Sequence, residues 1–159
     1  GTYERIDAQL SLLRRSVPKN TLIVIVADHG MITADPEACI DIASEPQLMR
    51  GVANVGGEPR CVMLYGEDGE NPEDIAARWR DVLGERAQVR TRRQAIEEGV
   101  YGPVDERVKS MIGDVVVSAA GSTTIVDSRT QAEKAMHLPS LHGSLTDMES
   151  DIPCLIDVA

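Results

Sequence analysis

The chain has 159 residues, of which 42% are hydrophobic, and a formal net charge of −10 at pH 7. This acidic balance argues against a nucleic-acid polymer or an anionic membrane surface as a partner, because phosphate groups attract clustered Lys and Arg. No segment approaches the roughly 18 consecutive apolar residues of a membrane span. The length suits one domain, and a small phosphorylated substrate is compatible with the charge, since a bound metal ion can reverse its local sign.

The composition also indicates which residues fill the core and in which cellular compartment the protein lies. Only 3% of the residues are aromatic and Phe is absent, so aliphatic residues must fill the core, as they do in parallel α/β sheets. Cys39, Cys61 and Cys154 form no C-x-x-C pair and lie in or beside apolar stretches, which predicts buried free thiols and a reducing, cytoplasmic compartment. The chain begins at Gly1 without an initiating Met or a recognisable signal peptide, and we expect it to be part of a longer protein.

The first two predicted elements form half of a crossover unit. Apolar residues recur at helical spacing from Tyr3 to Val17, which predicts an amphipathic helix that ends before Pro18. The unbroken apolar run Leu22–Ala27 then predicts a strand that is covered on both faces. A helix followed by a doubly buried strand is typical of an α/β fold.

Strands and short helices follow in mixed order along the rest of the chain. The predicted helices are Glu45–Arg50, a helix opened by Asn71-Pro72 and closed by Gly84, and Gln94–Glu98. The predicted strands are Cys39–Ala43, Arg60–Tyr65, Ala87–Thr91 and Ile152–Val158, with a hairpin that joins Asp114–Ala120 to Thr123–Val126. We interpret residues 45–130 as an α+β lobe inserted into one discontinuous domain, between a core helix and ligand strand (1–44) and a final core segment (131–159).

Two potential metal ligands directly follow the apolar strand. Asp28 and His29 stand where ligands bind in open α/β sheets, beyond the carboxyl end of a strand. Both side chains could reach one ion only if the backbone leaves the extended path, which Gly30 would permit. A carboxylate beside an imidazole suits zinc, manganese or iron. An ordinary turn, in which Asp28 accepts backbone N–H bonds, would favour the same residues.

A second candidate lies near the end of the chain, where His142-Gly143 follows a Pro-containing loop. By itself this histidine is either a metal ligand or an ordinary loop residue. His137 has no glycine or motif beside it and is interpreted as a structural or surface residue. The other polar candidates are interpreted in the same way, with Asp147 and Glu149 as solvated or capping groups and Arg60 as an exposed or ion-paired residue.

Taken together, the two motifs resemble a known family. NTLIVIVADHGM and HGSLTDMESDIPCLI, separated by a lobe, resemble the metal-binding strand and final metal-histidine segment of the C-terminal half of the alkaline phosphatase superfamily, in its type I phosphodiesterase/nucleotide pyrophosphatase branch. The resemblance implies an alkaline-phosphatase-like α/β fold, with a mostly parallel sheet flanked by helices. It also implies that Asp28 and His29 bind one divalent metal and that His142 binds a second.

The resemblance further implies a phosphoester hydrolase that acts on mono- or diesters, including nucleotides. One metal would activate a Thr or Ser hydroxyl and the other would stabilise the leaving oxygen, with zinc as the first candidate and manganese or iron as alternatives. The family's Asp-x-x-x-His motif and its nucleophile have no counterpart in this sequence. We therefore expect a missing N-terminal half to supply them, and this chain alone to bind metal poorly and to be inactive. The alternatives are a non-catalytic interaction or regulatory module with the same fold, and a phosphomutase or sulfatase-like member of the superfamily.

Overall fold

The computed structural model describes residues 1–159 and confirms the α/β class. The helices are α1 (Thr2–Ser16), α2 (Pro46–Met49), α3 (Pro72–Leu83), α4 (Arg92–Glu97), α5 (Glu133–Met136) and α6 (Asp147–Ser150). The strands are β1 (Leu22–Val26), β2 (Ile32–Thr33), β3 (Cys39–Asp41), β4 (Val52–Glu58), β5 (Cys61–Gly66), β6 (Ala87–Thr91), β7 (Val115–Ala119), β8 (Thr124–Val126), β9 (Ser140–Leu141) and β10 (Cys154–Val158). None of the helices combines the length and the apolar character that crossing a bilayer requires.

The chain groups into two compact units. The ribbon unit comprises residues 1–29 and 151–159, and the main unit comprises residues 30–150. The division of the chain at 44/45 and 130/131 stays a prediction. Each unit is described by itself below.

The ribbon unit consists of α1 and the antiparallel pair β1–β10. α1 carries Glu4 in its first turn and Arg14 and Arg15 in its last turn, charges that interact favourably with the helix dipole. The helix ends as predicted, because the residue before a proline is disfavoured in the α conformation. Val17, which precedes Pro18, is extended.

The two faces of the β1–β10 ribbon differ in what covers them. Ile23 lies opposite Asp157, whose carboxylate accepts a hydrogen bond from Arg14 Nε at 2.7 Å, so α1 lies on this side of the ribbon. The opposite side is apolar and exposed, and we call it the bare face. It consists of Leu22, Val24, Val26, Cys154, Ile156 and Val158.

The bare face corrects two predictions. β1 is not covered on both faces, because an apolar run indicates that a strand can be buried but does not say whether its cover lies in the same chain. Cys154 was predicted to be buried and is exposed for the same reason, whereas Cys39 and Cys61 are half-buried. All three cysteines are free thiols, as predicted.

The main unit contains a four-stranded sheet of order β4-β5-β7-β6, in which all neighbouring strands are antiparallel. Parallel pairing, which was expected to dominate, is limited to β3–β8. The reason is local, since only antiparallel strands can be joined by a connection as short as the one between β4 and β5. The predicted hairpin between β7 and β8 is wrong. Both edges of β7 are occupied, by β5 and β6, so β8 pairs with β3 instead.

Apolar side chains fill both faces of this sheet. α3 covers one face, where Trp79 packs with Val115 and Val117 of β7 in the larger core cluster. Ala95 of α4 packs with Val116 on the other face, as expected because successive strand residues point in opposite directions. The indole N–H of Trp79 donates to a carbonyl oxygen of α2 at 2.8 Å, so the buried ring leaves no unpaired donor.

Candidate functional site

Asp28 and His29 follow β1, and their side chains lie together. Asp28 Oδ1 accepts the backbone N–H of His29 at 3.0 Å, and Asp28 Oδ2 lies 3.8 Å from His29 Nε2. The Asp28 side chain is 89% exposed and the His29 side chain 36% exposed. Because neighbouring residues of a regular strand point to opposite faces, the close approach of the two side chains shows that the backbone has left the extended path.

The spacing of these two donor atoms is compatible with a shared cation. Carboxylate oxygens and imidazole nitrogens bind zinc at roughly 2.0–2.2 Å, so two such donors on one ion are at most about 4.4 Å apart. The 3.8 Å between Asp28 Oδ2 and His29 Nε2 is within this limit. Neither unit contains three His, Cys, Asp or Glu side chains grouped to hold a metal. Asp28 and His29 therefore offer donor atoms of the kind that bind a divalent cation, but they supply only part of the set of ligands that such an ion needs.

Gly30 is required by packing and not by an unusual backbone angle. It is not among the glycines with positive φ, which corrects the expectation that its conformational freedom matters here. A Cβ atom at this position would lie 2.0 Å from the carbonyl oxygen of Met148. The Gly30 N–H donates to the carbonyl oxygen of Glu149 at 2.8 Å, so the backbone of Gly30 lies directly against α6.

His142 directly follows β9, which pairs with β2. Ile32 lies opposite Leu141 in this antiparallel ladder, so the segment that follows the Asp28–His29 pair in the chain is bonded to the segment that precedes His142. His142 is half-buried. Gly143 has a φ of 123°, a conformation that favours glycine.

The other polar candidates separate into exposed and buried groups. His137 and Asp147 are exposed, in agreement with their structural interpretation. Glu149 is buried, with a relative exposure of 3%, so the expectation of a solvated group is wrong. Its carboxylate binds the Ser144 N–H and the Thr146 hydroxyl, just before α6. Arg60 is ion-paired, as one alternative held, but it is completely buried.

Arg60 and Glu149 are the centre of a buried polar cluster that we call the clasp. Arg60 Nε donates to Glu149 Oε1 at 3.0 Å and Nη2 donates to Oε2 at 2.7 Å, while Nη1 donates to the carbonyl oxygen of Thr123 at 2.5 Å. The carboxylate also accepts the backbone N–H of Ser144 at 3.0 Å and the hydroxyl of Thr146. Ser144 Oγ in turn donates to the carbonyl oxygen of Ala119 at 2.6 Å.

The environment of Glu149 strongly favours its charged form. Burial raises the pKa of this carboxyl, but the hydrogen bonds from Arg60, Thr146 and Ser144 outweigh it and lower the pKa from 4.5 to about 2. Charge-assisted, bidentate bonds of this kind are the strongest hydrogen bonds in proteins. The Glu149 carboxyl is therefore ionised at neutral pH.

The sequence carries only part of the signal for the clasp. Thr146 and Glu149 have the T-x-x-E spacing of a capping box, but the Glu149 carboxylate binds the Thr146 hydroxyl and the Ser144 N–H instead of the Thr146 N–H. Nothing near Arg60 indicates that it pairs with a residue 89 positions away. Ser144, Thr123 and Arg60 were missed as partners for this reason.

A cavity of about 640 Å³ lies elsewhere in the main unit. Its charged lining residues are largely neutralised by one another, since Arg92 binds Asp114 at 2.9 Å and Arg93 binds Glu97 at 3.2 Å. The cavity is lined by Asn71, Pro72, Glu73, Thr91, Arg92, Arg93, Ile96, Glu97, Lys109 and Asp114. It does not coincide with any of the candidate ligands.

A family profile described as type I phosphodiesterase / nucleotide pyrophosphatase matches residues 1–144. The chain belongs to this family. The matched range includes all three candidate ligands of this phosphodiesterase-family chain, Asp28, His29 and His142. No curated protein sequence matches the chain.

Solved structures place this phosphodiesterase-family chain in the alkaline-phosphatase-like fold. Murine ectonucleotide pyrophosphatase/phosphodiesterase 5 matches with a TM-score of 0.69 at 14% identity, and the human protein with 0.67 at 16%. Phosphonoacetate hydrolase from Sinorhizobium meliloti, in complex with phosphonoacetate, matches with 0.65 at 24% identity. These matches cover 96–97% of this chain but only 38% of each matched chain. The chain thus spans well under half the length of the structures it resembles.

Proposed function

We propose that this chain forms part of a metal-dependent phosphoester hydrolase in which Asp28, His29 and His142 are metal ligands. The observation that carries the proposal is the close approach of Asp28 Oδ2 and His29 Nε2, 3.8 Å apart, within a region that matches the phosphodiesterase family. Membership of the family supports phosphoester hydrolysis as the class of reaction. The distance between the side chains of Asp28 and His29 supports these two residues as metal ligands.

Asp28 and His29 would hold one divalent cation, and His142 would contribute to a second. Such ions lower the pKa of a bound hydroxyl and neutralise charge on the phosphoryl group being transferred. Zinc is the first candidate, and manganese and iron are the alternatives, because all three accept carboxylate and imidazole ligands. Within this chain, Asp28 also orients its neighbour by accepting the His29 N–H at 3.0 Å.

We propose a small phosphorylated molecule as the substrate, with nucleotides as the first class to test. An inactive variant of murine ectonucleotide pyrophosphatase/phosphodiesterase 5 has been solved in complex with AMP, and the bacterial hydrolase with phosphonoacetate and phosphonoformate. The formal net charge of −10 makes a nucleic-acid polymer a poor partner.

The nucleophile and the remaining ligands are proposed to come from an N-terminal half that precedes this chain. The bare face supports this proposal, since its six apolar residues are exposed on one side of a two-stranded ribbon. A two-stranded ribbon alone is marginally stable in water, and large exposed apolar patches mark interaction surfaces. We propose that the N-terminal half packs on this face.

Hydrolysis of a chromogenic bis-aryl phosphate by the longer protein tests the proposed function. With added zinc or manganese, the longer protein should turn over this substrate, and His29→Ala should abolish the activity. His137→Ala is the matched control, because His137 is exposed and lies outside the proposed site. Full activity of His29→Ala would remove this residue from the mechanism. The 159-residue chain alone should show only background turnover.

A non-catalytic module with the same fold is the second candidate. It is favoured by one observation, the absence of three grouped metal-ligating side chains in either unit. The sequence that precedes Gly1 in the longer protein discriminates the two functions. An Asp-x-x-x-His motif and a hydroxyl nucleophile there would support the hydrolase, and a sequence without them would support the module.

A further inference from the structure

The Arg60–Glu149 ion pair is buried, and its burial has a large cost in desolvation free energy. Its side chains have relative exposures of 0% and 1%, and removing two charges from water carries a large desolvation penalty that their attraction must offset. Well-packed apolar residues often serve stability equally well. Stability alone is therefore a weak explanation for the pair, and the contacts that it makes with neighbouring segments are the more informative property.

Glu149 makes contacts that fix the loop that carries His142. Its carboxylate accepts the backbone N–H of Ser144, two residues after His142, at 3.0 Å. Arg60 holds the carboxylate from the other side through two of its nitrogens. A Cβ atom on Gly143 would lie 3.6 Å from Arg60 Cβ, so the backbone after His142 packs on the arginine.

The backbone of Glu149 fixes a second segment. Its carbonyl oxygen accepts the N–H of Gly30 at 2.8 Å, and the carbonyl oxygen of Met148 is so close to Gly30 that no side chain fits there. Gly30 directly follows the Asp28–His29 pair in the sequence. One residue thus binds the backbone next to both ligand motifs.

We infer that Glu149 is a positioning residue for the loop that carries His142 and for the backbone at Gly30, and that Arg60 fixes Glu149 for this task. The inference rests on the proposed function for the role of the ligands, but the positioning itself is a property of this chain. Arg60 directly precedes β5, within the lobe predicted for residues 45–130. The lobe therefore supports the His142 loop in addition to any contact with substrate.

Amide exchange and histidine resonances of the 159-residue chain test this inference by NMR without metal or substrate. The variants are Glu149→Ala and Arg60→Met, the second of which leaves the Glu149 bonds to Ser144 and Thr146 in place. In both, exchange at the Gly30 N–H should rise about tenfold or more relative to exchange at Val117, which reports opening of the whole sheet. The Gly30 bond goes to the Glu149 backbone, so neither substitution removes its acceptor. The ring signals of His142 should shift while those of His137 stay unchanged.

Asp127→Ala is the matched control. Asp127 is also buried and bound by an arginine, Arg129, at 2.6 and 2.8 Å, but it has no contact with the clasp among its hydrogen bonds. This variant should lower global stability and leave the Gly30-to-Val117 exchange ratio and the His142 signals unchanged. Glu149→Gln keeps an oxygen acceptor and replaces Glu149→Ala if that variant does not fold. Its Gly30-to-Val117 exchange ratio should lie between those of the parent chain and Arg60→Met.

The inference is overturned if exchange at Gly30 and Val117 rises by the same factor in both clasp variants, since the pair would then contribute global stability alone. It is equally overturned if Asp127→Ala moves His142 as much as Arg60→Met does. Failure of the proposed function gives a different result. In that case the longer protein shows no hydrolysis, while the clasp variants still release Gly30 and His142 selectively.

Discussion

Ile32 lies directly opposite Leu141 in the two-residue ladder β2–β9. Each of these residues is within three positions of a candidate ligand in the sequence, His29 on one side and His142 on the other. Both are buried apolar residues, so the ladder is held by packing as well as by backbone bonds. The Ala34 N–H extends it by donating to the carbonyl oxygen of Pro139 at 3.0 Å. Residues 32–34 and 139–141, which are more than a hundred positions apart in the sequence, are therefore joined by backbone contacts within the main unit.

Replacement of Gly30 by alanine should destabilise the main unit. The new Cβ atom would lie 2.0 Å from the carbonyl oxygen of Met148, so the backbone must move and the Gly30–Glu149 bond must lengthen. Overpacking of this kind costs about 1–3 kcal/mol, and a shift at a rigid backbone atom should fall at the upper end. Urea unfolding followed by fluorescence of the buried Trp79 measures the change in free energy.

Gly56→Ala is the matched control for this substitution. Gly56 lies in β4 and does not have a positive φ, and its added Cβ would meet Tyr65 at an ordinary 3.5 Å. This change should be neutral or slightly stabilising, because alanine reduces the freedom of the unfolded chain. Equal losses in both variants would show that Gly30 has no special packing role.

The clasp should make the chain less stable in acid. The pKa of Glu149 is about 2 in the folded state, against 4.5 ordinarily, so between these values the unfolded state binds more protons. The contribution of this group is complete above pH 4.5 and is lost as the pH falls toward 2. A difference of this size corresponds to about 3 kcal/mol.

Unfolding of Glu149→Gln at pH 7, 5 and 3 checks this prediction. The variant should be less stable than the parent chain at pH 7, and the gap should narrow as the pH falls below 4.5. A residual acid dependence is expected in both chains, because the Arg129 side chain lowers the pKa of Asp127. A gap that stays constant from pH 7 to 3 would contradict a lowered pKa for Glu149.

The ends of helices could be predicted from the sequence because they are determined by capping residues that lie next to the helix in the chain. α3 is capped at its N-terminus by Asn71, whose side chain accepts the Glu73 N–H at 3.1 Å, and at its C-terminus by Gly84, which has a φ of 55°. These are the capping residues that define helix ends. The adjacency of Asp28 and His29 likewise indicates that the two side chains can meet only if the backbone leaves the extended path, and in the structure Asp28 Oδ2 lies 3.8 Å from His29 Nε2.

Long-range features could not be predicted from one sequence. The β2–β9 ladder has only two residues in each strand, too few for a periodic pattern. The bond between Arg60 and Glu149 joins residues 89 positions apart, and either side chain alone is typical of an exposed surface. The exposure of β1 depends on what else packs against it, which the apolar pattern of Leu22–Val26 does not specify.

The thiols of Cys154 and Cys61 should react at different rates. Cys154 is exposed and Cys61 is half-buried, and burial raises the pKa of the Cys61 thiol, which lowers its thiolate fraction at neutral pH. A disulfide reagent at pH 8 should therefore modify Cys154 first and Cys61 much later. Cys154→Ser should remove the fast phase without changing the slow one. A fast phase that persists in this variant would assign it to another cysteine.

A charge introduced on the bare face should have little effect on the stability of this chain alone but should destabilise the longer protein. Ile156 is 67% exposed and points away from α1, so Ile156→Asp should change the stability of the 159-residue chain by about 0.5 kcal/mol or less. If the N-terminal half packs on this face, the same substitution buries an unpaired carboxylate, and the longer protein should lose several kcal/mol or fail to assemble. Asp157→Asn, on the opposite side of the ribbon, is the control and should affect both proteins alike through its bond to Arg14.

Labelling of Cys154 provides a second measurement, because the thiol should be protected in the longer protein and become reactive again in its Ile156→Asp variant. Equal tolerance of Ile156→Asp in both proteins, with Cys154 fully reactive, would show that the bare face remains exposed and that the N-terminal half packs elsewhere.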